Sequence, residues 1–172
     1  MHLIRIVAVT WALTFGCNNL AFGQTTPQGA FIADQKSGCK VWNPNPKSVE
    51  KIIWFGACVN GFADGSGRLQ WLQNGQIYEI DEGTWKIGRQ VGHGAQMWSL
   101  GRYDGDISNS MPNGYGILTL KGARYDGEFH NGKPNGEGSL TSRRGVFKGK
   151  WTDGCLLGRQ KISVGVPLST CL

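Results

Sequence analysis

The sequence predicts an all-β protein: an elongated stack of about five antiparallel β-hairpins with disulfide-tied ends. Three observations lead there. Glycine is over-represented, at 27 of 172 residues, and shows no collagen-like period of three. A glycine-centred unit recurs every 22 residues. Within each unit, apolar and small residues alternate with polar ones at period two, as in strands with one buried face.

The unit is read from its central glycine. Tyr103-Asp104-Gly105, Tyr125-Asp126-Gly127 and Phe147-Lys148-Gly149 share one frame, and Gly83-Thr84-Trp85 falls 22 residues before Gly105. Trp54-Phe55-Gly56 stands 27 residues before Gly83, so an insertion of five follows the first unit. A second glycine slot holds Gly61, Gly88, Gly132 and Gly154, with Ser110 in the third unit. A third holds Gly65, Gly92, Gly114, Gly136 and Gly158; a fourth holds Gly67, Gly94, Gly116 and Gly138, with Gln160 in the fifth unit. Glycine fills 18 of these 20 positions, which chance placement does not produce.

In Tyr125-x-Gly127-x-Phe129 all three residues share a strand face, and the glycine leaves room for a ring to pack across it. Gly116-x-Leu118-x-Leu120 and Gly67-x-Leu69-x-Trp71 alternate in the same way. Asn113-Gly114 and Asn135-Gly136 carry the hairpin-turn signal and are expected to join the two strands of their units. A single hairpin cannot bury its apolar face alone, so the units must stack.

This pattern resembles the MORN repeat, whose unit runs Tyr-x-Gly-x-Trp-x-x-Gly-x-x-x-Gly-x-Gly. The stretch from Tyr125 to Gly138 is the nearest match, and the units together cover residues 54 to about 164. Asp81 replaces the leading aromatic of unit two, Ile107 and Ser110 weaken unit three, and Gln160 marks unit five as a degraded terminal repeat. The resemblance implies an interaction module; binding of phospholipid head groups has been proposed for some such arrays.

The termini carry a different signal. Arg5, the apolar run from Ile6 to Phe15 and Ala21-Phe22-Gly23 read as a signal peptide, 1-23, cleaved before Gln24. The run is shorter than the roughly 20 residues of a membrane span. The alternative is a lipoprotein anchored at Cys17, although Thr14 stands where such signals usually carry Leu. Residues 24-38 are expected to be a flexible lead-in, and 39-172 the repeat domain with its two caps.

Cleavage would leave four cysteines, and an even number in an exported chain points to disulfides. Cys58 occupies the slot of Trp85, Phe129 and Trp151, so its sulfur is expected to point inward. Cys39–Cys58 and Cys155–Cys171 is the favoured pairing, because an end-to-end stack holds the two pairs apart. The other two connectivities remain open. No Cys-x-x-Cys is present, so no metal site is expected.

Neither catalytic machinery nor a cofactor is expected. His93 and His130 fall in slots that accept many residue types, and both should be solvated. Asp104, Asp106, Asp126 and Glu128 should form an outer face, while Trp54, Trp85, Tyr103, Tyr125, Phe129, Phe147 and Trp151 form the core. Trp71 and Trp98 share a slot that suits either role. The positive charge gathers at Arg143, Arg144, Lys148, Lys150, Arg159 and Lys161, with Asp153 the one acid among them. These residues read either as a solubilising end cap or as an anion-docking surface.

The functional expectation is therefore a non-catalytic protein-interaction or scaffolding module of the periplasm or cell envelope, its partner another protein. Binding of an anionic membrane surface or envelope polymer through residues 143-161 is the alternative. A small envelope hydrolase is a distant third, and nucleic acid is not an expected partner.

Overall fold

The computed structural model describes residues 29–156 and 161–171. The expected signal peptide, Cys17, Gly158, Arg159 and Gln160 lie outside the described residues. An N-terminal pair, β1 (Ala30–Ala33) and β2 (Lys40–Asn43), precedes the long strands. These are β3 (Glu50–Val59), β4 (Phe62–Gln73), β5 (Gln76–Lys86), β6 (Arg89–Trp98), β7 (Gly101–Ser108), β8 (Met111–Leu120), β9 (Ala123–His130), β10 (Lys133–Ser142) and β11 (Gly145–Thr152). Two short strands, β12 (Cys155–Leu156) and β13 (Ile162–Ser163), close the chain with a 3-10 turn at Leu168–Thr170. All thirteen strands belong to one sheet, with each of β3 to β13 antiparallel to the next and β2 meeting β4 in parallel at Lys40 and Phe62. Among the described residues no helix is long and apolar enough to cross a membrane.

The alternating residues fill the interior as the period predicts. Trp54, Trp85, Tyr103, Tyr125, Phe129 and Trp151 are buried, and Phe147 packs half-buried beside them. Tyr103, Tyr125, Phe129 and Trp151 form edge-to-face pairs with centroids 5.0–5.2 Å apart, a favoured aromatic geometry. The central glycines are what admit these rings. A Cβ on Gly127 would come within 2.5 Å of the Glu137 carbonyl oxygen and the Gly138 Cα, with the Tyr125 hydroxyl at 2.9 Å.

The turns do not fall where the Asn-Gly signal placed them. Asn113-Gly114 and Asn135-Gly136 lie inside β8 and β10. The tight turns use the second glycine slot: Asn60-Gly61, Ile87-Gly88, Asn109-Ser110, Asn131-Gly132 and Asp153-Gly154, each with positive φ at both residues. That is the backbone of a type I′ hairpin turn, whose twist matches that of the strands. The third slot serves a bulge instead. Residues 135–137 together face Glu128, and 113–115 face Asp106, with Gly136 and Gly114 at φ 112° and 116°. Both features demand left-handed backbone, so the sequence signal for one mimics the other.

Successive turns are also bonded to one another. The amides of Gly88, Ser110, Gly132 and Gly154 donate to the carbonyls of Ala63, Gln90, Pro112 and Pro134, at 2.8–3.0 Å. Each acceptor lies two residues beyond the preceding turn. The ends join the same ladder, through Lys40 N–H to Gly61 and Trp42 N–H to Gly88 at one end, and Val164 N–H to Gly154 at the other.

Disulfides Cys39–Cys58 and Cys155–Cys171, with Cα separations of 5.8 and 5.6 Å, fix both caps in the favoured sequential pairing. Cys39 is fully buried, but Cys58, expected inward, is exposed. The expected flexible lead-in also needs correction: its residues 30–33 form β1, since Phe31 packs edge-on against Trp42 and Phe62.

Candidate functional site

The basic residues of the C-terminal end divide between two surfaces. Arg143 and Arg144 make the exposed turn between β10 and β11, and share a shallow hollow with Lys121 of the neighbouring turn. Lys148 and Lys150 lie on the outer face of β11, opposite Ser139 and Glu137. Lys161 is exposed; its Nζ donates to the Cys171 carbonyl at 3.2 Å, helping to pin the tail. Arg144 and Lys161 reach one further hollow, of about 630 Å³, with Leu140, Phe147, Ile162 and Leu168 as its apolar wall. The cations thus form a turn-edge group and an outer-face pair, with Arg159 outside the described residues.

A second feature lies at unit two, where sequence reasoning placed none. Asp81 is 4% exposed, and Trp71 Nε1–H donates to its Oδ2 at 2.7 Å. Trp71, left open between core and surface by the sequence, is thereby committed to the interior. Strand pairing sets Asp81 between Leu69 and Gln96, and Glu79 between Trp71 and Trp98. Burial and the mutual repulsion of the two carboxyls raise the pKa of Asp81 well above the ordinary carboxylate range, and burial raises that of Glu79.

The Gln90 amide donates to the Glu82 carbonyl at 3.0 Å and accepts from Gln96 at 3.2 Å. Above this floor, Tyr78 donates to Glu50, Asn43 donates to Glu50 at 2.6 Å, and Lys47 Nζ sits 3.8 Å from the Tyr78 ring centroid. Between the lead-in and the sheet, Asn43, Lys47, Tyr78, Asp81, Gln90 and Gln96 help to line a cleft of about 400 Å³. Two buried polar atoms in its lining lack partners among the described side chains and backbone: Asp81 Oδ1, which no N–H or hydroxyl reaches, and Trp85 Nε1–H.

A family model for the MORN repeat matches residues 59–75, 82–99, 103–121 and 125–146. The chain belongs to the MORN-repeat family. No curated protein matches the chain. The four matched MORN units are units one to four of the 22-residue frame. The fifth, from Phe147, lies beyond the matches, yet β11 and β12 continue the hairpin pattern.

The other candidate residues fall on the outer surface of the MORN array. His93 is exposed, with Nε2 3.2 Å from Asp104 and Nδ1 3.8 Å from Asp106. Arg102 and Arg124 pair with Asp104 and Asp126 at 2.6 and 2.9 Å, and Tyr115 donates to Asp126. The hydrogen bond from Arg102, aided by His93, lowers the pKa of Asp104. His130 is exposed and contacts Asn131 at 3.1 Å. These solvated pairs brace the outer face, where exposed ion pairs contribute little stability.

The signal that would have found the cleft was present in the alignment of units. Asp81 was visible as a departure, but Gln90 and Gln96 depart in the same unit and on the same inward face.

Proposed function

We propose that the chain is a non-catalytic interaction and scaffolding module of the periplasm or cell envelope, delivered there by a signal peptide cleaved after Gly23. MORN repeats typically mediate protein or membrane interactions, which fits a binding role. The observation that carries the reading is the ladder that links the five turns of one edge in succession, with a disulfide at each cap: a stiff, extended sheet suited to presenting surfaces. Paired disulfides suggest an oxidising compartment. The test is site-directed crosslinking in the native compartment, from the outer faces of β7 and β9 and from the Arg143-Arg144 turn. A reproducible partner, lost when the contacting face is altered, supports the scaffold; crosslinks at none of these positions overturn it.

The exposed cations favour a second reading, docking on an anionic membrane or envelope polymer. Such binding to acidic vesicles must weaken steeply with salt, since exposed charges are screened over roughly 10 Å at 0.1 M. Replacing Lys148 and Lys150 by Glu is expected to lower affinity at least tenfold, at about 1 kcal/mol per basic residue. Co-sedimentation across a salt series decides it; failure to bind acidic vesicles at low salt removes this reading.

A further inference from the structure

Three inward slots that are apolar in units three and four are polar in unit two. Asp81 stands where Tyr103 and Tyr125 stand, Gln90 where Pro112 and Pro134 stand, and Gln96 where Leu118 and Leu140 stand. In units three and four the tyrosine ring covers the paired glycines, Gly105 with Gly116 and Gly127 with Gly138; over Gly83 and Gly94 lies the Gln90 amide instead. The fold does not require this exchange, because the same backbone closes over an apolar core next door. Burying polar groups costs free energy unless each is satisfied. Here two are not, and both border the cleft that the missing ring leaves open.

We propose that this cleft binds a neutral, hydroxyl-rich ligand of the saccharide class. Its floor offers Asp81 Oδ1, which accepts from no N–H or hydroxyl although its carboxyl meets that of Glu79, and one unpartnered donor, Trp85 Nε1–H. A hydroxyl both donates and accepts, so a polyhydroxylated ligand satisfies both atoms. Trp42, Trp71 and Tyr78 supply aromatic surface along the cleft for the C–H faces of a sugar ring. The lining also selects on charge. Glu79 in the lining disfavours an anion, while Lys47 and Lys133 on the cleft wall disfavour a cation. A purely apolar ligand would leave the floor unsatisfied. The amide network of Gln90, Gln96 and the Ser110 carbonyl holds the floor rigid before a ligand arrives, which lowers the entropic cost of binding.

This proposal rests on the binding-module reading but not on the basic end. The test is a tryptophan-fluorescence titration of the full chain with neutral trisaccharides of glucose, mannose, galactose and N-acetylglucosamine, beside an anionic glycan and a cationic peptide as controls. At least one neutral trisaccharide should give a saturable change that is insensitive to salt. Two variants separate binding from folding. Asp81→Asn should weaken binding roughly tenfold, because with its oxygen held by Trp71 the amide presents N–H donors where Asp81 Oδ1 would accept. The triple variant Asp81→Tyr, Gln90→Pro, Gln96→Leu returns unit two to the pattern of its neighbours. It should unfold at a higher temperature than the wild type and no longer bind. Lys148→Glu with Lys150→Glu should bind as the wild type does. The proposal is overturned if no neutral trisaccharide binds, if only a charged control binds, or if the triple variant binds undiminished. Cleavage of a bound trisaccharide, read by chromatography, would instead overturn the non-catalytic reading.

Discussion

At Gly127 the fold depends on the absence of a single carbon. The Tyr125 ring folds back over Gly127 and Gly138, its hydroxyl donating to the Glu128 carbonyl at 3.1 Å. Burial and nearby carboxylates push the Tyr125 hydroxyl up to about 12, so it stays a donor across the physiological range. Gly127→Val drives a branched side chain into that space and should destabilise by about 1–3 kcal/mol. Asp126→Ala removes outer-face contacts with Arg124 and Tyr115 and should cost about 0.5 kcal/mol or less. Chemical denaturation of both variants checks the difference; equal effects would mean the faces are assigned backwards.

Asp81 gives the opposite kind of residue-scale prediction. Its folded pKa is raised, so its contribution to stability is present below the ordinary carboxylate range and is lost as pH rises through the folded value. Asp81→Asn cannot ionise, yet its side-chain oxygen still accepts from Trp71. The variant should therefore gain on the wild type as pH rises from roughly 4 towards neutrality. Thermal midpoints measured across that range test it, and a constant difference would contradict a raised Asp81 pKa.

At the scale of the hairpin, the tight turn is a repeated solution with one poor instance. Asn60, Asn109, Asn131 and Asp153 take the first position, where φ is 48–58°, a region that Asn and Asp tolerate. Ile87 is held at φ 48° in the same position, and it is exposed. A β-branched residue is strained there. Ile87→Asn should raise stability by about 1 kcal/mol, keeping the Ile87 backbone donation to Asp64 at 3.2 Å. A lower melting temperature would show that the exposed isoleucine makes a contact that outweighs the strain.

The whole molecule is a one-dimensional stack, so its ends should open before its middle. The disulfides close loops with sequence separations of 19 and 16, each worth roughly 3 kcal/mol in the chain-entropy treatment. Reduction is expected to release amide protection in β1, β2 and the segment 161–171 while β7 to β10 keep theirs. Hydrogen exchange on the reduced protein reads this directly; uniform loss of protection would mean that the caps hold the entire array. Reduction should also loosen the Asn43–Lys47 wall of the unit-two cleft, which follows β2 and Cys39 directly.

The sequence by itself determined the repeat, the strand alternation and the inward set of aromatics, because these rest on local periodicity and on the size of a glycine. Tyr125, Gly127 and Phe129 share a face for reasons contained within five residues. It also marked which glycines need left-handed backbone. It could not say which made the turn and which the bulge, because both demand the same φ. Tertiary structure decided that choice by letting each turn bond to the one before it. It likewise decided the fate of Asp81, which counted as a weak repeat position until strand pairing set it beside Gln96 and β2 led a wall of chain over it. A cleft is a property of non-neighbouring strands: its residues lie far apart in the chain and meet only when the sheet and its cap close around them.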